Sequence, residues 1–559
     1  MAARARRLAR EAGRAAAGLA RRQPLALGVA FFLFGVLCGY GGGRWWPALA
    51  GSAVCAAALL GSAADRSAAG GGVRMAAAAA LLFLLGWGRA AWDSAGRAAE
   101  AERLLAARET RLTFVCRVGP SVSVAHVRGE AAKYTFKAEQ VRVEGETPFA
   151  LRYLPVGVNW YGAHQAGDGD APQAGAVWRV RGRAKVAQGR DGLPALTVNT
   201  GEDRAERVAA EDAGAWAVRI AKARRQAVRR VAIGIEDWGV IPALNQAMLL
   251  GCRNEMPRAM RRVFADSGTI HVFAISGLHI ALLAGVLALL VKAAGMPRTH
   301  WVLAVGPLLV FYTLTTGARP SAVRACLMAV LFLAAPLLGR RPNGLAALAG
   351  TALLTHLAAP WLVFDVGSVL SFVVMGGLVV FCAPLCGLVR RACGLDALVI
   401  RVRLLDAAGR PAEARRVRDA ARAARALTNA FAVSLAAWLS SVPLTAHYFG
   451  RFTPGGLFAN LLIAPCSFLI VVSGCLGLAA SFVSDWAASC FNHAAGLFTW
   501  LMVKTAEWTV SFKWASVRVA KWSPWMVWSW FAALACLAAW LHARRAPDGL
   551  EWMEADDSR

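Results

Sequence analysis

The sequence predicts a polytopic α-helical membrane protein of about 12 spans, with a small all-β soluble domain inserted after the third span. Three observations predict it. First, 57% of the 559 residues are hydrophobic and only 17% are charged, against roughly 45–50% and about 25% in a soluble domain. That surplus excludes a soluble enzyme and a disordered chain. Second, the apolar residues gather in runs close to the roughly 20 residues that a hydrocarbon core requires. Third, the stretch at 101–208 departs from this habit and alternates apolar with polar positions, the period of half-buried strands.

Residues 1–22 carry seven arginines and precede an apolar run at 25–42. The basic stretch is longer than a cleavable signal peptide uses, and the run after it is the first of several. Further runs follow at 47–62 and 75–92. Residues 1–100 are therefore expected to form a basic N-terminus and three spans, with the N-terminus in the cytoplasm by the positive-inside rule. Residues 101–208 contain TFVCRVG, YTFKAEQVRV, FALRYLPVGV, VWRVRGRAKV and ALTVNTG. About five short strands of this kind suit an OB-like barrel or a small sandwich. Arg179, Arg181, Arg183 and Lys185 are its candidate phosphate contacts, and Trp160 and Tyr161 its candidate stacking faces for single-stranded nucleic acid. The competing reading is that the rings are core and the charges a solvated rim. Residues 209–265, with paired arginines between apolar positions, are expected as amphipathic helices on the bilayer interface.

Residues 266–545 read as the main membrane domain. Spans are expected at 270–294, 300–317, 322–338, 343–358, 366–389, 427–445, 456–480, 486–506 and 525–542. Lys292 and Arg298, Arg340 and Arg341, Arg390 and Arg391, and Arg544 and Arg545 then all fall on the cytoplasmic side. The segment at 390–425, with ten arginines and four acids, is expected as a cytoplasmic amphipathic helix, and 546–559 as a polar tail.

The net charge of +28 has two sources on this reading. Cytoplasmic loops collect Arg and Lys, and phosphate-bearing partners select basic surfaces. The 12 cysteines are scattered, with no CxxC and no Cys/His ligand set, so neither a metal site, a disulfide framework nor a cofactor is expected. GxxxxGK[ST], HExxH and GxSxG are absent from the sequence.

Polar residues inside spans must find partners or line a wet cavity, and they gather in four places. FADSGTIHVFAISGLHI (264–280) holds Asp266, His271, Ser276, Gly277 and His279. TTGARPSAVRACLMA (315–329) places Arg319 and Arg324 around Gly317 and Pro320. The planar fork of an arginine suits phosphate oxygens, and a broken helix here would aim both guanidiniums at a cavity. PWLVFDVGSVLSFVV (360–374) holds Asp365, Ser368 and Ser371. SSVPLTAHYFGRFTPGGLFANLLIAP (440–465) holds His447, Arg451 and Asn460 among glycines and prolines that unwind backbone. Helix–helix packing is the alternative for the small and amide residues. Ser276, His279 and Asp365 could also serve as nucleophile, base and orienter of an intramembrane enzyme acting on a phosphorylated or lipid-linked substrate. Transport of another polyanion is a third reading.

The strings HVFAISGLHI, TGARPSAVRACLM, FDVGSVLSF and VPLTAHYFGRFTPGGLFANLLIAP resemble the ComEC competence family of inner-membrane DNA channel proteins, over about 230–542. The resemblance implies passage of single-stranded DNA from periplasm to cytoplasm during natural transformation, with the β domain on the periplasmic side. It implies a pore path past Arg319 and Arg324, with His271, His279 and His447 as polar lining, Ser276 and Gly277 allowing close backbone approach, and Asp365 holding one arginine. Ser371 and Asn460 belong to the same candidate path. Many family members carry a C-terminal metallo-β-lactamase-like domain whose motifs this sequence lacks, so no nuclease or other catalytic activity is expected of it. The implied partners are single-stranded DNA, membrane lipids, a separate DNA receptor, a nuclease, a cytoplasmic motor protein and further copies of the chain.

Overall fold

The computed structural model describes residues 29–30, 32–37, 69–106, 111–126, 131–144, 149–152, 154–163, 176–188, 194–201, 205–208, 223, 226–251, 256–273, 277–316 and 320–543. The expected span at 47–62 and the tail at 546–559 lie outside them.

Alanine and leucine, the best helix formers, dominate the run before the β region, and α1 (Ala69–Ala106) continues unbroken through it. Its last turns dock on the β domain. The buried Glu100 carboxylate accepts the backbone N–H groups of Arg152 (2.9 Å) and Leu154 (2.8 Å), and Ala101 and Leu104 enter the β core.

That core is enclosed by β1 (Arg111–His126), β2 (Ala131–Glu144), β4 (Val156–Ala163), β6 (Pro194–Gly201) and β5 (Val177–Gln188). Each pairs with the next in that order, and β5 pairs back onto β1. The five strands therefore close into a ring, which leaves few open edges. β4 and β6 run parallel and the other ring pairs antiparallel. β3 (Phe149–Leu151) extends β2, and β7 (Ala205–Arg207) extends β5. The expected alternation is visible along β5, where Trp178 and Val180 point inward and Arg179, Arg181, Arg183 and Lys185 outward. Closure is tight at Gly182. A Cβ there would come within 2.6 Å of the Asn199 carbonyl oxygen, so only glycine fits. Burial in this core pushes the Cys116 thiol up to about 12, which keeps it protonated and inert.

The segment after the barrel differs from expectation. α2 (Ile241–Leu250) is not an interfacial helix, because eight of its ten residues are buried. Leu244 and Met248 pack with Ile463, Ile470 and Met502. Its sequence is apolar nearly all round, which is the pattern of a core helix. α3 (Arg258–Asp266) is the amphipathic one and buries only Phe264.

The membrane domain continues with α4 (Gly277–Ala293), α5 (Trp301–Thr315), α6 (Pro320–Ala334), α7 (Gly344–Ala358), α8 (Val366–Ala392), α9 (Leu395–Ala407), α10 (Pro411–Phe449), α11 (Gly455–Ala480), α12 (Asp485–Ser511) and α13 (Pro524–Ala543). A two-stranded ribbon, β8 (Arg451–Phe452) with β9 (Val517–Arg518), ties the α10–α11 corner to the α12–α13 loop. Among the described residues three helices, α8, α10 and α11, are long and apolar enough to cross a membrane. α6 and α7 have 15 residues each, about 22 Å at 1.5 Å per residue against a core of about 30 Å. Pro320 begins one, and the Asn343 side chain caps the other through the N–H groups of Leu345 and Ala346. The expected cytoplasmic amphipathic helix also changes form: it divides between α9 and the first 15 residues of the 39-residue α10, which is continuous with the span after it.

α8 and α10 cross where Gly377 faces Ser440, and a Cβ at 377 would overlap the serine side chain. Gly377→Val is expected to lower stability by about 1–3 kcal/mol through overpacking. Gly387→Val on the same helix, where a Cβ meets nothing within 4 Å, is expected to be close to neutral. Thermal unfolding of the two variants in detergent measures the difference.

Candidate functional site

Two groups of residues merit description as a site: the outer face of the barrel, and the seam in which the four polar clusters meet.

The strand registers fix the barrel face. Thr135 lies opposite Asn159, Asn159 opposite Asn199, and Asn199 opposite Arg183. The Thr135 hydroxyl donates to Asn159 Oδ1 (3.1 Å) and Asn159 Nδ2 donates to Asn199 Oδ1 (2.8 Å), a polar ladder across three strands. Two pairs along, on the same face, Lys133 lies opposite Tyr161 and its ammonium sits over the Tyr161 ring at 5.5 Å. Tyr161 is 40% exposed. Arg181, Arg183 and Lys185 are exposed on β5.

Two expected members of this face are corrected. Trp160 is 2% exposed and packs against Tyr134 (4.9 Å) and Trp178 (6.0 Å), because it sits at an inward position of β4. It offers no stacking surface. Arg179 is exposed, but Glu144 (3.1 Å) and Glu206 (3.7 Å) flank it, so its charge is offset locally. The sequence reading missed Thr135, Asn159 and Asn199. Their signal was their place in the alternation, on the same parity as Tyr161 and Arg183.

The seam in the membrane domain links the four clusters. The first and fourth are joined by an ion pair between Asp266 and Arg451 and by Gly268, whose φ of +75° sets it against Thr453. His271 remains exposed, with Nδ1 hydrogen-bonded to the Gly268 carbonyl (3.2 Å). The first and second meet where Gly277, at the start of α4, lies 3.7 Å from Ala325 as a Cβ would see it. His279, two residues further on, is buried. The second and third meet at Arg324, whose Nη2 donates to the Gly367 carbonyl (3.0 Å) at the first turn of α8. Asp365 caps that helix by accepting the Ser368 N–H (2.8 Å). It lies within electrostatic reach of Arg324.

Arg324 is 4% exposed. Its guanidinium stands 5.6 Å from the Phe372 ring centroid, and the same ring lies 5.5 Å from His356 on α7. Among the described residues Arg324 Nε and Nη1 have no hydrogen-bond acceptor, and the enclosed Ser368 Oγ has no partner either. The expectation that this arginine faces an open passage is corrected: it is enclosed by protein, in the second turn of α6. Arg319 and Ser276 lie outside the described residues. His356 was missed by the sequence reading, although a lone histidine closing an apolar run before Pro360 was its signal.

The other expected path residues are dispersed. Ser371 is half-buried on α8, one turn beyond Ser368, and Asn460 is half-buried on α11. His447 belongs elsewhere. Its Nδ1 is hydrogen-bonded to the Trp522 carbonyl (2.6 Å), and it lines an apolar cavity of about 750 Å³ between α8, α10 and α13 with Ser440, Tyr448 and Phe531.

α1 ties the two groups together. Arg89 donates to the carbonyls of Leu357 (3.2 Å) and Ala358 (3.4 Å). Arg97, paired with Asp93 (3.1 Å), stands over Trp361. The barrel is thereby anchored at the end of α8 where Asp365 and Arg324 meet.

An enclosed arginine with spare N–H groups is costly to fold. Arg324→Met is therefore expected to leave the thermal midpoint unchanged or raised, whereas Asp365→Ala, which removes an N-cap, costs about 1 kcal/mol. Thermal unfolding followed by tryptophan fluorescence checks both. A loss of more than about 2 kcal/mol in Arg324→Met would mark the arginine as a structural tie instead.

A family model described as Competence protein matches residues 248–544. The ComE operon protein 3 of Bacillus subtilis (strain 168) is 31% identical over 134 residues, which is 24% of this chain and 17% of that relative, so most of the relative's length is uncovered. No solved structure matches. The matched family segment takes in more than half of the chain and all four polar clusters, and the chain belongs to the competence protein family.

Proposed function

We propose that this chain carries single-stranded DNA across the bacterial inner membrane during competence, from the barrel side to the opposite side. The observation that carries this reading is the family match over 248–544, which spans the seam around Arg324. The barrel lies on the periplasmic side in this scheme, and the termini of the described membrane helices agree with it. Lys292, Arg298, Arg340, Arg341, Arg390 and Arg391 fall in or beside the α4–α5 and α6–α7 connections and the end of α8, which alternate crossing would put on one side, and α1 meets the α7–α8 connection at Leu357 and Ala358, which it would put on the other.

The closed ring with its single parallel pair supports reading the barrel as OB-like, a fold whose outer strands take oligonucleotides. Tyr161 supplies a ring for a base to stack on. The Thr135–Asn159–Asn199 ladder supplies amides, and Arg181, Arg183 and Lys185 supply phosphate contacts. In the membrane domain, Arg324 is the residue with spare donors. In the closed state those donors are enclosed. A passing phosphodiester supplies the oxygens they lack, and separation of α6 from α8 at Gly367 is the motion that admits it. A DNA receptor, a nuclease and a cytoplasmic motor act as separate partners. The role is transport rather than catalysis.

In a deletion strain, uptake of labelled DNA into the cytoplasm is expected to stop while surface binding persists. Unimpaired uptake in that strain overturns the reading. Complementation with Tyr161→Ala is expected to weaken single-strand binding by about 5- to 100-fold, the value of one base–aromatic stack. Arg324→Gln is expected to block entry in a protein that still reaches the membrane, and Ser276→Ala to leave entry intact.

A further inference from the structure

On the side of α8 away from the barrel, two helices stand clear of the bundle. α8 ends at Ala392, Gly394 turns the chain with φ +67°, and α9 runs outward. A turn at 408–410 then sends the chain back as the first half of α10. α9 packs on α10 and, at its start, on α8. This prong has its own seam. Val402, Ala414 and Ala421 are buried, and the two alanines, seven residues apart, are small enough to let the helices approach closely. Arg418 clips to Asp406 (2.8 Å) between the helices, Arg410 pairs with Glu413, and Arg422 pairs with Asp419 (3.3 Å).

The length of α10 shows how far the prong reaches. Its 39 residues span about 58 Å at 1.5 Å each, roughly twice the hydrocarbon core. The apolar part begins near Leu427, so about 16 residues, roughly 24 Å, project beyond it. The headgroup layer is only about 5–8 Å deep on each side. Arg390, Arg391 and Arg425 lie near the base, and Arg415 and Arg416 lie about 16–18 Å along α10 from Leu427, at 1.5 Å per residue.

Residues 395–425 hold eight arginines and four acids. Asp406, Glu413 and Asp419 are engaged by arginines of the prong itself. Arg401, Arg415 and Arg416 are exposed, and among the described residues no carboxylate pairs with them. Three exposed guanidiniums on one arm, with no carboxylate paired to them among the described residues, fit a chain of phosphates. The arm starts at the opposite end of α8 from the barrel, about 40 Å away along 27 residues.

We propose that the α9–α10 prong is a landing surface for the phosphate backbone of a single DNA strand as it leaves the membrane domain. This rests on the uptake reading, and it adds a second nucleic-acid contact on the far side of the membrane. The test uses the full chain in nanodiscs of zwitterionic phosphatidylcholine, titrated with a fluorescent single-stranded 20-nucleotide oligomer at two salt concentrations. Wild type is compared with Arg401→Glu/Arg415→Glu/Arg416→Glu and with the milder triple change to Gln, which spares the seam if the reversal disturbs folding. The reversal is expected to weaken binding at least about tenfold at low salt, and to reduce the slope of log affinity against log salt by about 2, for three phosphates at roughly 0.7 each. Unchanged affinity and slope in both variants overturn the proposal, as does a wild type that does not bind. A change only in the phosphatidylglycerol retained on purification assigns the arginines to lipid and overturns it as well. Binding is read here without transport. A deletion strain that still takes up DNA would therefore remove the uptake reading and leave this measurement to decide the prong.

Discussion

A charged side chain enclosed among membrane helices constrains everything near it. Arg324 cannot be left without acceptors in an apolar surrounding, where each unpaired N–H costs on the order of 1–3 kcal/mol. The chain answers with one carbonyl, that of Gly367, and with the nearby carboxylate of Asp365. Both depend on α8 starting where it does. Asp365 is the cap that starts it, and Gly367 has no side chain to cover its carbonyl. The first turn of α8 is thus set by the needs of a residue on α6, and it brings two sequence-distant clusters into one place.

The same corner carries the barrel. α1 ends by using Glu100 to hold two backbone N–H groups of the β domain, and it uses Arg89 and Arg97 to hold the 357–361 corner. Neither contact is large, but a continuous helix joins them, so the β domain keeps a defined position over the Arg324 end of α8. The polar ladder on its outer face is built on registers that the closed ring leaves no freedom to change. At the other end of α8 the Gly394 turn launches the arginine prong. One 27-residue helix therefore separates two basic surfaces of different construction, a strand face with an exposed ring and a helical arm.

Much of this was legible in the sequence. Hydropathy and strand alternation by themselves determined that the chain is mostly apolar helix with a β domain inserted near its start, because both signals are local and periodic. The positions of α4 to α8 and α11 to α13 follow from apolar runs bounded by Pro, Gly, Asn and Arg. The family strings marked Arg324, Gly277, His279 and Asp365. Residue type also identified Arg181, Arg183 and Lys185 as outward on β5, since a charged residue cannot alternate into an apolar core.

What depended on partners distant in the chain was decided only by the tertiary structure. Trp160 and Tyr161 are neighbours of similar composition, and strand parity within a closed barrel sends one into the core and the other to the surface. α2 was read as interfacial, yet it is core, because its burial is imposed by α11 and α12 more than 200 residues later. Helix length is likewise not written in residue type: α6 and α7 have 15 residues each where α8 has 27, and all three are apolar. The enclosure of Arg324 and the projection of the prong are likewise properties of helix ends meeting in space. A linear sequence specifies which groups need partners; only the fold decides which of them receive one.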